Sequence, residues 1–191
     1  MELLGIFTAF GLSASAGLNA YIPLLIVALL AKFTRLIVLK SPWDTLTSWW
    51  IIGIIVVLAL IEFLADSTPA INHINDIIQT VIRPAAGAVA FAASANVVTD
   101  VHPVLSLALG LLIAGGVHTV KAVAVRPAVT ATTGGIGNLP VSIAEDVFSA
   151  TISFLSIVLP IIIACLLIII TAWLVFILYR RAKRSSESHL Q

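Results

Sequence analysis

The chain has 191 residues, 60% hydrophobic and only 10% charged, with a mean hydropathy of +1.15 and a formal net charge of +1. Water-soluble domains average about 45–50% apolar and about 25% charged residues, so this composition excludes an ordinary soluble domain and makes lipid the main solvent. It also excludes nucleic acid as a partner, because no basic stripe is available to neutralise phosphates.

The amino terminus, MELLGIF, lacks the basic region and cleavage site of a secretory signal and is expected to stay on the mature protein. A span needs about 20 apolar residues. The first runs from Leu3 to about Ala31, interrupted by the small, polar stretch GLSASAGLNAY. The second runs from Trp49 to about Ala65, the third from Arg83 to Val98 and the fourth from Val104 to about Val125. The last, Val147 to Tyr179, is too long for one straight crossing, and Pro160 is expected to kink it. Between spans two and three, Ile71, Ile74, Ile77, Ile78, Val81 and Ile82 repeat at helical spacing, with Asn72, His73, Asn75, Asp76 and Gln79 on the other face. That pattern predicts an amphipathic helix at the interface, its His73–Asp76 pair being a solvated face rather than a metal site. Cys165 stands alone in an apolar run and reads as a packed or lipid-facing residue.

The expected fold is therefore an all-α polytopic transmembrane helix bundle of about five spans. One domain covers residues 1–179, and a basic tail follows over 180–191. Broken or re-entrant segments are expected near 11–21 and 130–146, and the interfacial helix near 69–82. Lys32, Arg35 and Lys40 precede span two, and Arg180, Arg181, Lys183 and Arg184 follow the last span. Five crossings put both basic groups on one side, which predicts an inner-membrane protein with its N-terminus outside and its C-terminus cytoplasmic. Trp43, Trp49 and Trp50 read as an interface belt; His189, in the tail, carries no special role.

The remaining charges lie toward the opposite ends of the spans: Arg83, Lys121 and Arg126, with Glu62, Asp66, Asp76, Glu145 and Asp146. Each ionisable group near hydrocarbon costs about 2–4 kcal/mol unless it is paired or wetted, so one interior cluster is expected. Glu62 and Asp66, at i,i+4, share a helix face; they form a proton or cation site, or a structural salt bridge to Arg83 or Lys121. His118 and Lys121, at i,i+3, share another face, where His118 relays a proton or hydrogen-bonds across helices. VIRPAAGAVA and AVRPAVTATT echo each other, as do ADSTP and TDVHP. Proline suits a first helical turn, so Arg83 and Arg126 would stand at positive helix ends suited to an anion, or would simply snorkel to the interface.

The glycines of TTGGIGN permit positive φ but make neither a phosphate loop nor a dinucleotide fingerprint. In NLPVSIAED, Asn138 is expected to cap a helix with Pro140 in its first turn. SASAGLNAYIP has the same character around Asn19. Two such broken segments point to a transporter site, or else to a small-residue packing face and an ordinary loop. No nucleophile–base set is present, so no enzyme is expected.

At SASAGLNAYIPLL, EFLADSTPAINHINDIIQTVIRPAAGA and RPAVTATTGGIGNLPVSIAED the chain resembles a bacterial membrane-protein family known as domain of unknown function 4126. The resemblance covers most of the chain outside the tail. It implies a small polytopic inner-membrane protein and no particular activity. It carries over Asn19, Glu62, Asp66, Arg83, Arg126, Asn138, Glu145 and Asp146. The expected function is a small transporter or channel for an ion or anionic solute, a lipid-linked phosphate included, with a structural or assembly protein as the alternative. The expected partners are the bilayer, that solute and, because the bundle is thin, further copies of the chain; neither a cofactor nor a metal is identified.

Overall fold

The computed structural model describes residues 2–67, 69–98, 102–160, 162, 165, 166, 168–173, 176 and 180, without the side chains of 2–4, 67, 69–74, 76 and 96–98. Within these residues the chain is helical and has no strand. The helices are α1 (Glu2–Leu18), α2 (Tyr21–Phe33), α3 (Trp49–Ser67), α4 (Pro69–Val98), α5 (Pro103–Val120), α6 (Arg126–Thr133) and α7 (Asn138–Val158). A short 3-10 turn covers Trp43–Thr47, and a π-helical turn, Lys121–Val125, joins α5 to α6 without a break.

The bundle hides its small and polar residues and exposes its large apolar ones. Ala86, Ala90, Ala92, Ala93, Ser13, Ser15, Ser149 and Ser153 are buried, whereas Trp50, Ile54, Leu60, Leu112, Phe148 and Trp173 are exposed. Water would penalise such a surface; lipid does not, and small residues let helix backbones approach closely. Among the described residues, four helical stretches are long and apolar enough to cross a membrane: Trp49–Asp66, Ile77–Ala95, Pro103–Thr133 and Asn138–Val158. These features mark a membrane protein. Of the four, Ile77–Ala95 is 56% buried and the others 22%, which makes α4 the central helix.

Side-chain pairs fix the directions. Ala9 packs with Phe91 and Ala95, and Ala16 with Ala86, so α1 runs antiparallel to α4. Thr8 donates to the Ser156 carbonyl and Ser15 to that of Ser149, so α1 is antiparallel to α7 as well. The Ala20 amide faces Glu62, while Phe33 meets Trp49 at 5.9 Å, which sets α2 antiparallel to α3. The segment after α2 then tucks Ile37 and Leu39 against Leu12, Val27, Ala90 and Ala93.

The expected single first span is thus corrected. Residues 2–33 form a helical hairpin, α1 and α2, with its tip at Asn19–Ala20 and both arms at the same end of the bundle. The break near 11–21 is real, but the five-crossing count that placed the N-terminus opposite Lys32, Arg35 and Lys40 does not carry over. The interfacial helix expected near 69–82 is the first half of α4, continuous with the third span. Helical geometry gives those 30 residues a length of about 45 Å.

Two expectations about proline also change. Pro84 lies inside α4, and Pro127 follows a continuous helical backbone, so neither Arg83 nor Arg126 stands at a free helix N-terminus. Proline inside a helix is tolerated in a bundle where neighbours compensate, and here the Pro84 ring faces Gly115 of α5. Helix-starting prolines are instead Pro69 and Pro103, those of the Asp-x-x-Pro echo. Pro160 does not kink a helix; α7 ends at Val158 and helical backbone resumes at Pro160. The tail beyond 180, with His189, and the side chains of His73 and Asp76 lie outside the described residues.

The segment expected to break near 130–146 is a helix, a four-residue turn and a helix. Gly134 and Gly135 have φ of 62° and 92°, which side chains other than glycine adopt only with strain. Gly137, not Asn138, precedes α7, and no side chain caps it. Asn138 accepts from Thr130 Oγ1 at 3.4 Å across the turn.

Candidate functional site

Three acids and three bases meet where the α1–α2 tip reaches α3, α4, the π turn and α7. Asp66 is the hub. Its Oδ2 lies 3.0 Å from Arg126 Nη2, 3.4 Å from Arg83 Nη2 and 3.5 Å from Lys121 Nζ, and its Oδ1 accepts from Asn75 Nδ2 at 2.7 Å. Glu62 Oε1 accepts from Arg83 Nη2 at 2.9 Å and from Arg83 Nε at 3.2 Å. Glu145 Oε2 lies 2.8 Å from both Lys121 Nζ and Arg126 Nη2. Arg126 Nη2 also donates to Ser142 Oγ at 3.0 Å.

All six charged side chains are buried, Arg83 completely. Removing two charges from water costs several kcal/mol per ion, which only close pairing and added hydrogen bonds repay. Alternation of acid and base through shared oxygens supplies that pairing.

The π turn explains how two bases five residues apart reach the same acids. In a regular α-helix, positions i and i+5 diverge by about 140°. In the wider turn the Arg126 amide bonds the Lys121 carbonyl, an i to i+5 closure that brings both side chains onto one face. Lys121 and Arg126 then both reach Asp66 and Glu145. Extra-residue turns of this kind are frequent at functional sites.

The broken hairpin contributes its helix ends. Lys121 Nζ donates to the Leu18 carbonyl at 3.1 Å, at the C-terminal end of α1. Glu62 Oε1 lies 3.5 Å from the Ala20 amide, at the N-terminal end of α2. Each charge has the sign that the adjoining helix dipole favours. Asn19 ties the tip down: its Oδ1 accepts from the Tyr21 and Ile22 amides, and its Nδ2 donates to Asp146 Oδ1 at 2.9 Å.

His118 lies 3.3 Å from Arg83 Nη1 through Nδ1 and 3.2 Å from Thr80 Oγ1 through Nε2. Guanidinium has only donors, so Nδ1 must accept and the ring hydrogen belongs on Nε2. His118 therefore takes part as a hydrogen-bonding bridge between α4 and α5.

Of the residues expected from sequence, Glu62, Asp66, Arg83, His118, Lys121, Arg126 and Glu145 come together directly. Asn19 and Asp146 adjoin them as a pair, and Asn138 stands apart at the α6–α7 turn. Sequence reasoning missed Asn75, Gln79, Thr80 and Ser142, and a seam in which Ser15 bonds both Ser149 and Ser153. A signal for the seam existed: Ser142, Glu145, Ser149, Ser153 and Ser156 recur at three- and four-residue steps along α7. Among the described residues no group of three His, Cys, Asp or Glu side chains is placed to hold a metal ion.

A family model matches residues 6–181, which include every side chain of the cluster. The chain belongs to the family described as Domain of unknown function (DUF4126). The resemblance noted in the sequence, which covers most of the chain outside the tail, is thereby shown. No curated protein and no solved structure matches the chain.

Proposed function

We propose that this DUF4126 protein is a small transporter or channel of the bacterial inner membrane, and that the buried cluster binds an ion or an anionic solute. The observation that supports the reading best is the broken helix pair aimed at charge, with the α1 carbonyl end on Lys121 and the α2 amide end on Glu62. Discontinuous helices whose ends face charged groups inside a bundle are a recurrent way of building a transporter site. Buried donors support it too: Arg126 Nε and Nη1 have no hydrogen-bond partner among the described residues, in a side chain otherwise fully engaged. A small acceptor such as a phosphate oxygen, on a free anion or a lipid headgroup, would satisfy them.

The test is flux in proteoliposomes across a panel of protons, monovalent cations, inorganic phosphate and small carboxylates. Glu62→Gln and Arg83→Ala should lower the flux at least tenfold. Flux equal to that of empty liposomes for the whole panel counts against transport.

One observation favours a structural role instead: Asp66 and Glu145 each already hold two or more bases. In that reading the charges only lock the helices together. Exchanging Glu62 and Arg83 for each other should then restore folding and function together, whereas a binding site would regain the fold alone.

A further inference from the structure

Two buried acceptor oxygens of the cluster have no hydrogen-bond donor among the described residues: Glu62 Oε2 and Gln79 Oε1. Both side chains are almost fully buried, Glu62 at 1% and Gln79 at 2% exposure. On α4, Gln79 stands one helical turn from Asn75, which donates to Asp66, and one turn from Arg83, which grips Glu62 through the other oxygen, Oε1; that spacing turns Gln79 toward the same face of α3. An acceptor in hydrocarbon cannot turn to water, so a missing donor there is costly.

The charge balance points the same way. Among the described residues the ionisable groups around Glu62 are Asp66 on its own helix, Arg83 on α4, His118 on α5, Lys121 on the π turn, Arg126 on α6, and Glu145 and Asp146 on α7, with the Tyr21 hydroxyl on α2. Four carboxylates thus meet three permanent bases, because Arg83 holds His118 Nδ1 as an acceptor. The fourth carboxylate is the half-buried Asp146, which pairs with Asn19 and not with a base; counting it, the described groups carry one negative charge in excess, which a single added proton cancels. Among the described residues, Glu62 is the one carboxylate of the cluster with a buried oxygen that has no donor.

We propose that Glu62 carries a proton on Oε2, shared with Gln79 Oε1, and that this pair is the proton site of the cluster. The protonated carboxyl keeps Oε1 for Arg83, so no existing bond is lost, and its O–H supplies the donor that both orphaned oxygens lack. A proton also needs no volume. A metal cation would face the Arg83 guanidinium with only two free oxygens, and an anion would meet acceptors alone. On release the electron pair stays on Oε2, and Glu62 becomes a full counter-ion to Arg83. As the ion moved or coupled in the proposed transport, the proton rests on that reading; as a property of the resting protein, it does not.

The test is infrared spectroscopy of the purified protein in lipid at neutral pH. Wild type should show the C=O band of one buried carboxylic acid, lost in Glu62→Gln and kept in Glu145→Gln. Gln79→Leu should keep the band and move it to higher frequency, because the acid O–H loses its acceptor; this variant reads the site even if Glu62→Gln does not fold. Absence of an acid band in wild type, as expected if the Gln79 amide is turned to donate to an ionised Glu62, overturns the proposal. So does a band unchanged in Glu62→Gln or unmoved in Gln79→Leu. The band is read without flux, so a band without flux defeats only the transport reading, and flux without a band defeats only the proton site.

Discussion

At the scale of single residues, Asp66 is where the cluster is most exposed to damage. It accepts from Asn75 and pairs with Arg83, Lys121 and Arg126, four donors from α4, the π turn and α6. Neutralising it leaves three buried bases with fewer counter-ions, and breaking a buried ion pair costs about 3–5 kcal/mol. Asp66→Asn should therefore lower the unfolding midpoint in detergent far more than Asp146→Asn. The latter loses one charge-assisted hydrogen bond to Asn19, worth about 1.5–3 kcal/mol at most. Equal shifts in a thermal melt would remove Asp66 from its central place. Most of this hub was legible in the sequence, because ionisable groups at hydrocarbon depth must find one another and few were available. Asn75 was not, since a polar residue on an amphipathic pattern reads as solvated until tertiary packing covers it.

At the scale of elements, close approach of α4 and α5 sets the distance across the cluster. A Cβ on Gly110 would stand 2.7 Å from Ala88 Cα and from Phe91 Cβ, against backbone that cannot yield. Gly110→Val should destabilise by about 1–3 kcal/mol through overpacking. Gly53→Ala, on the lipid-exposed face of α3 with nothing within 4 Å, should be neutral or stabilise by about 0.4–1 kcal/mol. Chemical unfolding of both variants in the same detergent checks the contrast, which vanishes if the two helices do not pack through Gly110.

The π turn makes a second demand on its element. Deleting Val123 would return Lys121–Val125 to regular α-helical winding with Arg126 four residues after Lys121, about 40° round the helix, so that both still face Asp66 and Glu145. Such a deletion should therefore lower the unfolding midpoint far less than Arg126→Ala. A loss equal to that of Arg126→Ala would mean that the π winding itself is needed to place Arg126. Neither the turn nor the place of Pro84 inside α4 was legible from local sequence. Arg-Pro reads as a helix start because proline normally ends what precedes it, and only the packed neighbours of α4 and α5 overrule that rule.

At the scale of the whole molecule, the hairpin of α1 and α2 decides how the chain is threaded. The 17 residues of α1 are about 25 Å long, shorter than the roughly 30 Å hydrocarbon layer. Its tip meets the cluster, while α6 and the first turns of α7 continue past it to the Gly134–Gly137 turn. Sequence alone joined both arms into one crossing, since a small-residue interruption such as SASAGLNA does not reveal whether the chain goes on or turns back. The two threadings place the N-terminus on opposite sides relative to the 34–48 segment. In a Cys165→Ser background, single cysteines can be placed at Lys40, at Ile136 and in a short extension ahead of Met1. Lys40 and Ile136 are both exposed, Ile136 at 87%. A membrane-impermeant maleimide added to oriented vesicles should then label the N-terminal and Lys40→Cys positions from one side and Ile136→Cys only from the other. Labelling of the N-terminal cysteine together with Ile136→Cys would show a single first crossing, and would take away the broken helix ends on which the binding site is built.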